Sequence, residues 1–300
     1  MEKLKFSGHD TFIVRCFWPK KGYDFINNGG NFSNENAVVD LGVGKNMVAS
    51  ISYWMKALGL YDDQNKTLTD FANRIFPDDG FDPFLEDIGT IWLLHYQLVK
   101  TNYASIYSLI FNELRKDRSV FNKSQLKAFI KRKYSEFDDN SLNLNTIDKD
   151  ISVFTRLYRK IDYQNVLKDF EEEINNLMLE LELISTTIED EIKEGTNKRE
   201  KIEWFHLHGE NRNSLPPAVL LFAILDNFPE SKNIAVKRLE IEINGPGLVF
   251  LLSKDGLYKK LKEIEKEFPG IIVSETAGNL VLVLPEGLNK WEILSDYYAN

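Results

Sequence analysis

A single cysteine, Cys16, occurs in the 300 residues. That excludes an internal disulfide and any cysteine-rich zinc site, and it fits a reducing compartment. Histidine is nearly as scarce, since His9, His95, His206 and His208 are the full set. Long apolar runs are missing too. The longest, such as residues 218–225, fall far short of the roughly 20 residues that span a bilayer. The opening MEKLKFSGHDTF lacks the apolar stretch of a secretion signal. The expectation is a soluble cytoplasmic protein with no membrane partner. Positive charge is also in deficit, and a net charge of −9 disfavours indiscriminate binding to nucleic acid.

What is present is a globular composition, 43% hydrophobic and 12% aromatic, which argues for well-filled cores and against global disorder. The length suggests two or three domains. Charge is unevenly spread. Residues 115–160 hold twelve Lys or Arg against six Asp or Glu, and residues 162–210 hold five against fourteen. Such asymmetry leaves room for a local nucleic-acid face on an acidic protein, and it equally fits two helices with ordinary solvated faces.

The stretch VVDLGVGKNMVASISYWMKALGL, residues 38–60, organises the rest. Gly42, Val43 and Gly44 make a turn. Met47, Ile51, Trp54, Met55 and Leu58 then recur at helical spacing, and Gly59 ends the helix. A polar DDQNK loop and a further helical segment follow, in the order of a winged helix-turn-helix. Residues 1–101 therefore read as an N-terminal winged-helix-like module, with another helix at 85–101. Residues 102–160 read as three short helices, a basic helix-turn-helix-like module. Residues 161–201 read as an acidic connecting helix and a charged linker. Residues 202–300 read as a C-terminal winged-helix-like module whose hairpin turns near Gly278 and Asn279. The expected class is mainly α, an α-rich α+β fold.

Three constellations bear on chemistry. The Gly42–Asn46 segment misses two of the four fixed places of a phosphate-binding loop, because Val39 and Asn46 stand where Gly and Ser or Thr belong. His9 with Asp10 invites comparison with metal-dependent phosphohydrolases, and His206 with His208 would share one side of a strand. A metal-dependent phosphohydrolase or nuclease using His9, Asp10, His206 and His208 is thus one reading; turn and surface roles for these residues are the plainer one. No Ser-His-Asp or Cys-His arrangement emerges, so catalysis is not the leading expectation and no cofactor is assigned.

The segments FSGHDTF at residues 6–12, with Arg15, Trp18, Lys20, Lys21 and Gly22, and LGVGKNMVASISYWMKALGL at residues 41–60 carry a resemblance. Leu215-Pro216-Pro217, residues 245–250 and Tyr297-Tyr298 extend it. The chain resembles an uncharacterised bacterial family, the domain-of-unknown-function family four-thousand-and-seven. The resemblance implies operons with phosphoadenosine phosphosulfate reductase-like enzymes in DNA-modification or defence neighbourhoods, and it brings no catalytic residues.

The leading expectation is accordingly a DNA-binding accessory or regulatory protein of such a system, with double-stranded DNA as partner. Lys45 and Asn46 at the helix start, Ser50, Ser52 and Lys56 on its outer side, and Lys149, Arg156, Arg159 and Lys160 in the basic block are the candidate contacts. The second is a protein-interaction adaptor for a phosphoadenosine phosphosulfate reductase-like, sulfurtransferase-like or other modification enzyme.

Overall fold

A computed structural model describes residues 4–136, 143–159, 175–192, 199–276 and 278–299. Its N-terminal third is a helical cluster. Helix α1 (Trp18–Asn27) packs on α2 (Ala37–Leu41) and α3 (Lys45–Ala57). Gly42 closes α2 at φ 60°, a left-handed position that favours glycine, and Gly44 starts α3. The polar loop after α3 is a small hairpin, β1 (Tyr61–Asp62) against β2 (Thr67–Leu68). Thr69 then caps α4 (Asp70–Ile75), and Asp87 caps α5 (Ile88–Lys100).

The chain continues through α6 (Ser105–Ser108), a π-helical segment (Leu109–Leu114) and α7 (Arg115–Asp117) to strand β3 (Val120–Asn122). Asn122 and Gln125 form a reciprocal capping box at the start of α8 (Lys123–Ser135). Helix α9 (Leu144–Tyr158) is capped by Asn143, whose side chain accepts the Asn145 N–H.

The expected acidic helix is corrected over its described part. Ser185–Ile192 is a strand, β4, paired antiparallel with β5 (Arg199–His206), which replaces the expected linker. The β-branched Ile184, Thr186, Thr187 and Ile188 prefer extended backbone, and the register buries Phe205 at the root of the hairpin. Residues 161–174 of that expected segment lie outside the described residues. Strand β5 also pairs with β3, giving the order β3-β5-β4.

The last segment contains the hairpin expected near Gly278 and Asn279. Helix α10 (Pro217–Asn227) is apolar and buried on every side from Ala218 to Ile224 and lies within the core. Strand β6 (Asn233–Ala235), α11 (Val236–Ile241), α12 (Pro246–Val249) and α13 (Lys254–Glu267) come next. Strands β7 (Ile272–Thr276) and β8 (Asn279–Val283) form the hairpin, with β6 added on the outer side of β8. Helix α14 (Lys290–Ala299) packs on α10.

A large contiguous apolar core takes side chains from Leu4 through Leu294, and a second, small cluster of Phe25, Ala37, Leu41 and Val48 sits where α1, α2 and α3 meet. The large core crosses residues 101, 160 and 201, where the sequence suggested boundaries, and the β3-β5-β4 sheet crosses the last two. Each fully buried Leu, Ile or Phe contributes about 1.5–3 kcal/mol relative to exposure, so this shared core is what joins the segments. No helix among the described residues is long and apolar enough to cross a membrane.

Candidate nucleic-acid interface

The FSGHDTF segment is a strained loop clamped between α3 and α9. Ser7, Gly8, Asp10 and Thr11 all have positive φ, at 68°, 114°, 45° and 69°. Only one of the four is glycine, so the conformation is held by its surroundings rather than by local preference. A Cβ on Gly8 would lie 2.6 Å from the Tyr53 ring, so that position needs glycine twice over.

His9 is the inward-facing residue of the loop and is buried. Its Nδ1 accepts the Thr11 N–H at 3.1 Å, which puts the ring proton on Nε2, and Nε2–H donates to Asp150 Oδ1 at 2.7 Å. Asp150, buried on α9, also accepts the Ser7 N–H on both oxygens. On the other side, the Ser50 hydroxyl of α3 donates to the His9 carbonyl at 2.6 Å, and Trp54 Nε1 donates to the Phe12 carbonyl at 3.2 Å. Arg156 of α9 donates to the Thr11 carbonyl. The loop thereby fixes α3 and α9 in one rigid arrangement. Tyr53 packs edge-on to His9 and stays a neutral phenol, since burial and then the nearby Asp150 charge raise its pKa well above the usual value.

Helix α3 presents one stripe outward. Lys45, Ala49, Ser52 and Lys56, spaced i, i+4, i+7 and i+11, are exposed or half-buried, with Asn46 exposed beside Lys45 and Met47 half-buried next to it. Gly44 offers no side-chain cap, so the first-turn N–H groups of α3 receive none. Lys56 is partly committed, at 2.8 Å from Asp63 of the β1–β2 loop. Ser50 does not belong to the outer stripe. It is fully buried, and its hydroxyl serves the His9 loop.

The basic block is less available than its composition implied. Lys127 pairs with Asp148, Lys133 with Glu113, Arg132 with Asp117, and Lys123 and Arg159 with Glu203. Arg115 is turned inward onto the carbonyls of Gly247 and Leu252; burial, and then Arg212, pull its pKa down to about 10. Lys149 is exposed on α9, next to the inward-facing Asp150. Arg156 holds the loop rather than projecting away from it. Lys160 lies outside the described residues.

The histidines do not converge on a metal. Asp10 is exposed while His9 points inward to Asp150. His206 ends β5, bonded to Thr187, with His208 at 5.3 Å between ring centroids. No group of three or more His, Cys, Asp or Glu side chains among the described residues is arranged to hold an ion. His95 is a core residue. Its Nε2–H donates to the Val249 carbonyl at 2.8 Å, its Nδ1 accepts from Tyr158 at 2.7 Å, and burial pushes its pKa down to about 4.

Sequence reasoning passed over Asp150. The signal was there: it stands in helical register with Ile147, Ile151 and Phe154, on the buried face of α9. A carboxylate at such a place requires partners, and His9 and Ser7 are those partners.

No curated protein matches the sequence. Two solved structures do, each with a TM-score of 0.81 over 99% of this chain and 88% of the other. One is described as "SspB crystal structure", at 25% identity, and one as "Magnesium ion-bound SspB crystal structure", at 26%. The family described as "Protein of unknown function (DUF4007)" matches over residues 6–298, and this chain belongs to it.

Proposed function

We propose that this chain is a DNA-binding accessory or regulatory protein of a bacterial DNA-modification or defence system. The observation that carries the reading is the outward stripe of α3. Two lysines bracket small residues on a helix introduced by a tight turn and followed by a two-stranded hairpin, the order of a winged helix-turn-helix. Lys45 and the uncapped amide groups would meet a phosphate, and Asn46 and Ser52 would reach base edges. The clamp through His9 supports it further, because a strained loop that fixes the angle between α3 and α9 also fixes where Lys149 stands relative to Lys45. The acidic remainder of the molecule would confine DNA to that face.

The test is a titration of duplex DNA with the full chain at several salt concentrations. Micromolar or tighter binding that weakens steeply with salt is the expected result. Absence of binding at low salt would overturn the reading.

A second reading, an adaptor for a phosphoadenosine phosphosulfate reductase-like or other modification enzyme, has its own observation. Phe17 and Phe84 are 66% and 63% exposed at a groove of about 740 Å³ that Phe25 and Leu41 also line. Exposed aromatic side chains around a groove are what a docking surface supplies. Co-purification of such an enzyme with the wild type, lost in Phe17→Ser/Phe84→Ser, would support it.

A further inference from the structure

Between α7 and the α11–α13 segment lies a cavity of about 510 Å³, lined entirely by described residues. Its floor is aliphatic. Leu248, Leu252 and Leu257 are buried there, and Ile241 stands 46% exposed at the edge. No aromatic side chain lines it. An apolar hollow of this size with a few polar groups around it has the make-up of a small-molecule site.

The polar groups are nearly all cations. Arg115, Lys116, Lys237 and Lys254 line the cavity with a single carboxylate, Glu240, on a chain whose net charge is −9. Glu240 is engaged by Lys237 at 2.9 Å. Lys116 and Lys254 are exposed and form no ion pair among the described residues. Arg115 spends its two terminal nitrogens on the Gly247 and Leu252 carbonyls, at 2.7 and 3.1 Å, so no carboxylate answers its charge. A second guanidinium, Arg212, is buried close enough for its charge to act on Arg115, and its own partner Glu210 lies largely in solvent. Half-buried cations without a counter-charge are costly, and a bound anion relieves that cost.

The kind of anion follows from the charge and the floor. Four cations against one carboxylate leave a local charge of +3. A phosphomonoester, which carries about −1.5 to −2, matches this better than a lone carboxylate does. Lysines meet phosphate as point charges. Ser253 Oγ accepts the Gly256 N–H at 2.9 Å, which leaves its hydroxyl proton to donate. Without an aromatic platform the cavity offers a nucleobase nothing to stack on, whereas the leucines suit an aliphatic body.

We propose that this cavity binds a small phosphomonoester with an aliphatic body, its phosphate against Arg115, Lys116 and Lys254 and its body on Ile241, Leu248 and Leu257. None of these residues belongs to the α3 stripe, so the proposal stands whether or not the chain binds DNA.

The probe is hexyl phosphate, titrated calorimetrically into the full chain in a phosphate-free buffer. It binds at least about tenfold tighter than inorganic phosphate, which lacks the body, and hexyltrimethylammonium, which has the opposite charge, does not bind. Lys116→Glu/Lys254→Glu changes two exposed side chains and weakens hexyl phosphate by about tenfold or more. Ile241→Ser weakens hexyl phosphate by about threefold or more and leaves inorganic phosphate unchanged. No binding of hexyl phosphate to the unaltered chain would overturn the proposal, as would equal binding of the ammonium compound or undiminished binding in Lys116→Glu/Lys254→Glu. Equal affinity for inorganic phosphate would overturn the aliphatic body. Displacement of hexyl phosphate by duplex DNA would overturn the choice of a small ligand.

Discussion

Asp150 has two donors that nothing else in its surroundings would satisfy, the Ser7 N–H and the His9 Nε2–H. Replacing it by alanine strands the buried His9 N–H outright and the Ser7 N–H, in an exposed residue, in part, at a cost of about 1–3 kcal/mol for a buried group left unpaired. Urea unfolding of Asp150→Ala should show a loss of about 2–5 kcal/mol, with Asp150→Asn losing less because an amide oxygen still accepts. Little change in Asp150→Ala would mean that the strained loop holds itself. His95 makes a second prediction, one of pH. Its folded pKa of about 4 lies below the ordinary histidine value, so the unfolded chain takes up the proton first. Stability is then fully present above about pH 6.5 and falls as pH drops toward 4, by on the order of 3 kcal/mol. Denaturant midpoints at pH 7.5 and 4.5 should differ more in the wild type than in His95→Gln, which keeps hydrogen-bonding capacity without the proton.

Along α3, two serines two residues apart have opposite fates, because 200° of helical rotation separates them. Ser52 belongs to the outer stripe and Ser50 to the core. Lys45→Ala should weaken duplex binding and make its salt dependence shallower by about one in the log–log slope, the signature of one lost phosphate contact. Ser50→Ala should leave that slope unchanged and cost about 1 kcal/mol of stability through its bond to His9. Equal salt slopes for Lys45→Ala and the wild type would remove Lys45 from the interface. The sequence made α3 legible through its strong 3.6-residue apolar period, and α10, α13 and the C-terminal hairpin for similar reasons. Strands β4 and β5 were not legible. Their outer halves are exposed on both faces, so no alternation of apolar and polar residues marks them, and the glutamates read as helix formers. The loop at His9 was half legible. Gly8 announces a turn, but the positive φ at Ser7, Asp10 and Thr11 is imposed by Asp150, Ser50 and Arg156, which lie 39 or more residues away in sequence.

Across the whole molecule, modules seen in sequence were segments of one core, because local patterns report which face of a helix is apolar and not which distant element covers it. Asp226 shows how the ends are joined. It sits nearly buried on α10 and accepts from Tyr96 and Lys100 of α5 and from Lys290 of α14. Burial works to raise its pKa, but the bonds from Lys100, Lys290 and Tyr96 outweigh it, so the carboxyl stays ionised. Asp226→Ala leaves two ammonium groups without their shared partner. Both lysines are about a third exposed, so water offsets part of the loss, and a cost of roughly 2–3 kcal/mol is expected. Because α3 and α14 share the large core, that cost is not expected to stay local. Tryptophan fluorescence and far-UV circular dichroism should shift together in urea, and hydrogen exchange at α3 should accelerate along with exchange at α14. Faster exchange at α14 alone, with α3 unchanged, would show instead that the chain unfolds in separate pieces despite its continuous apolar contacts.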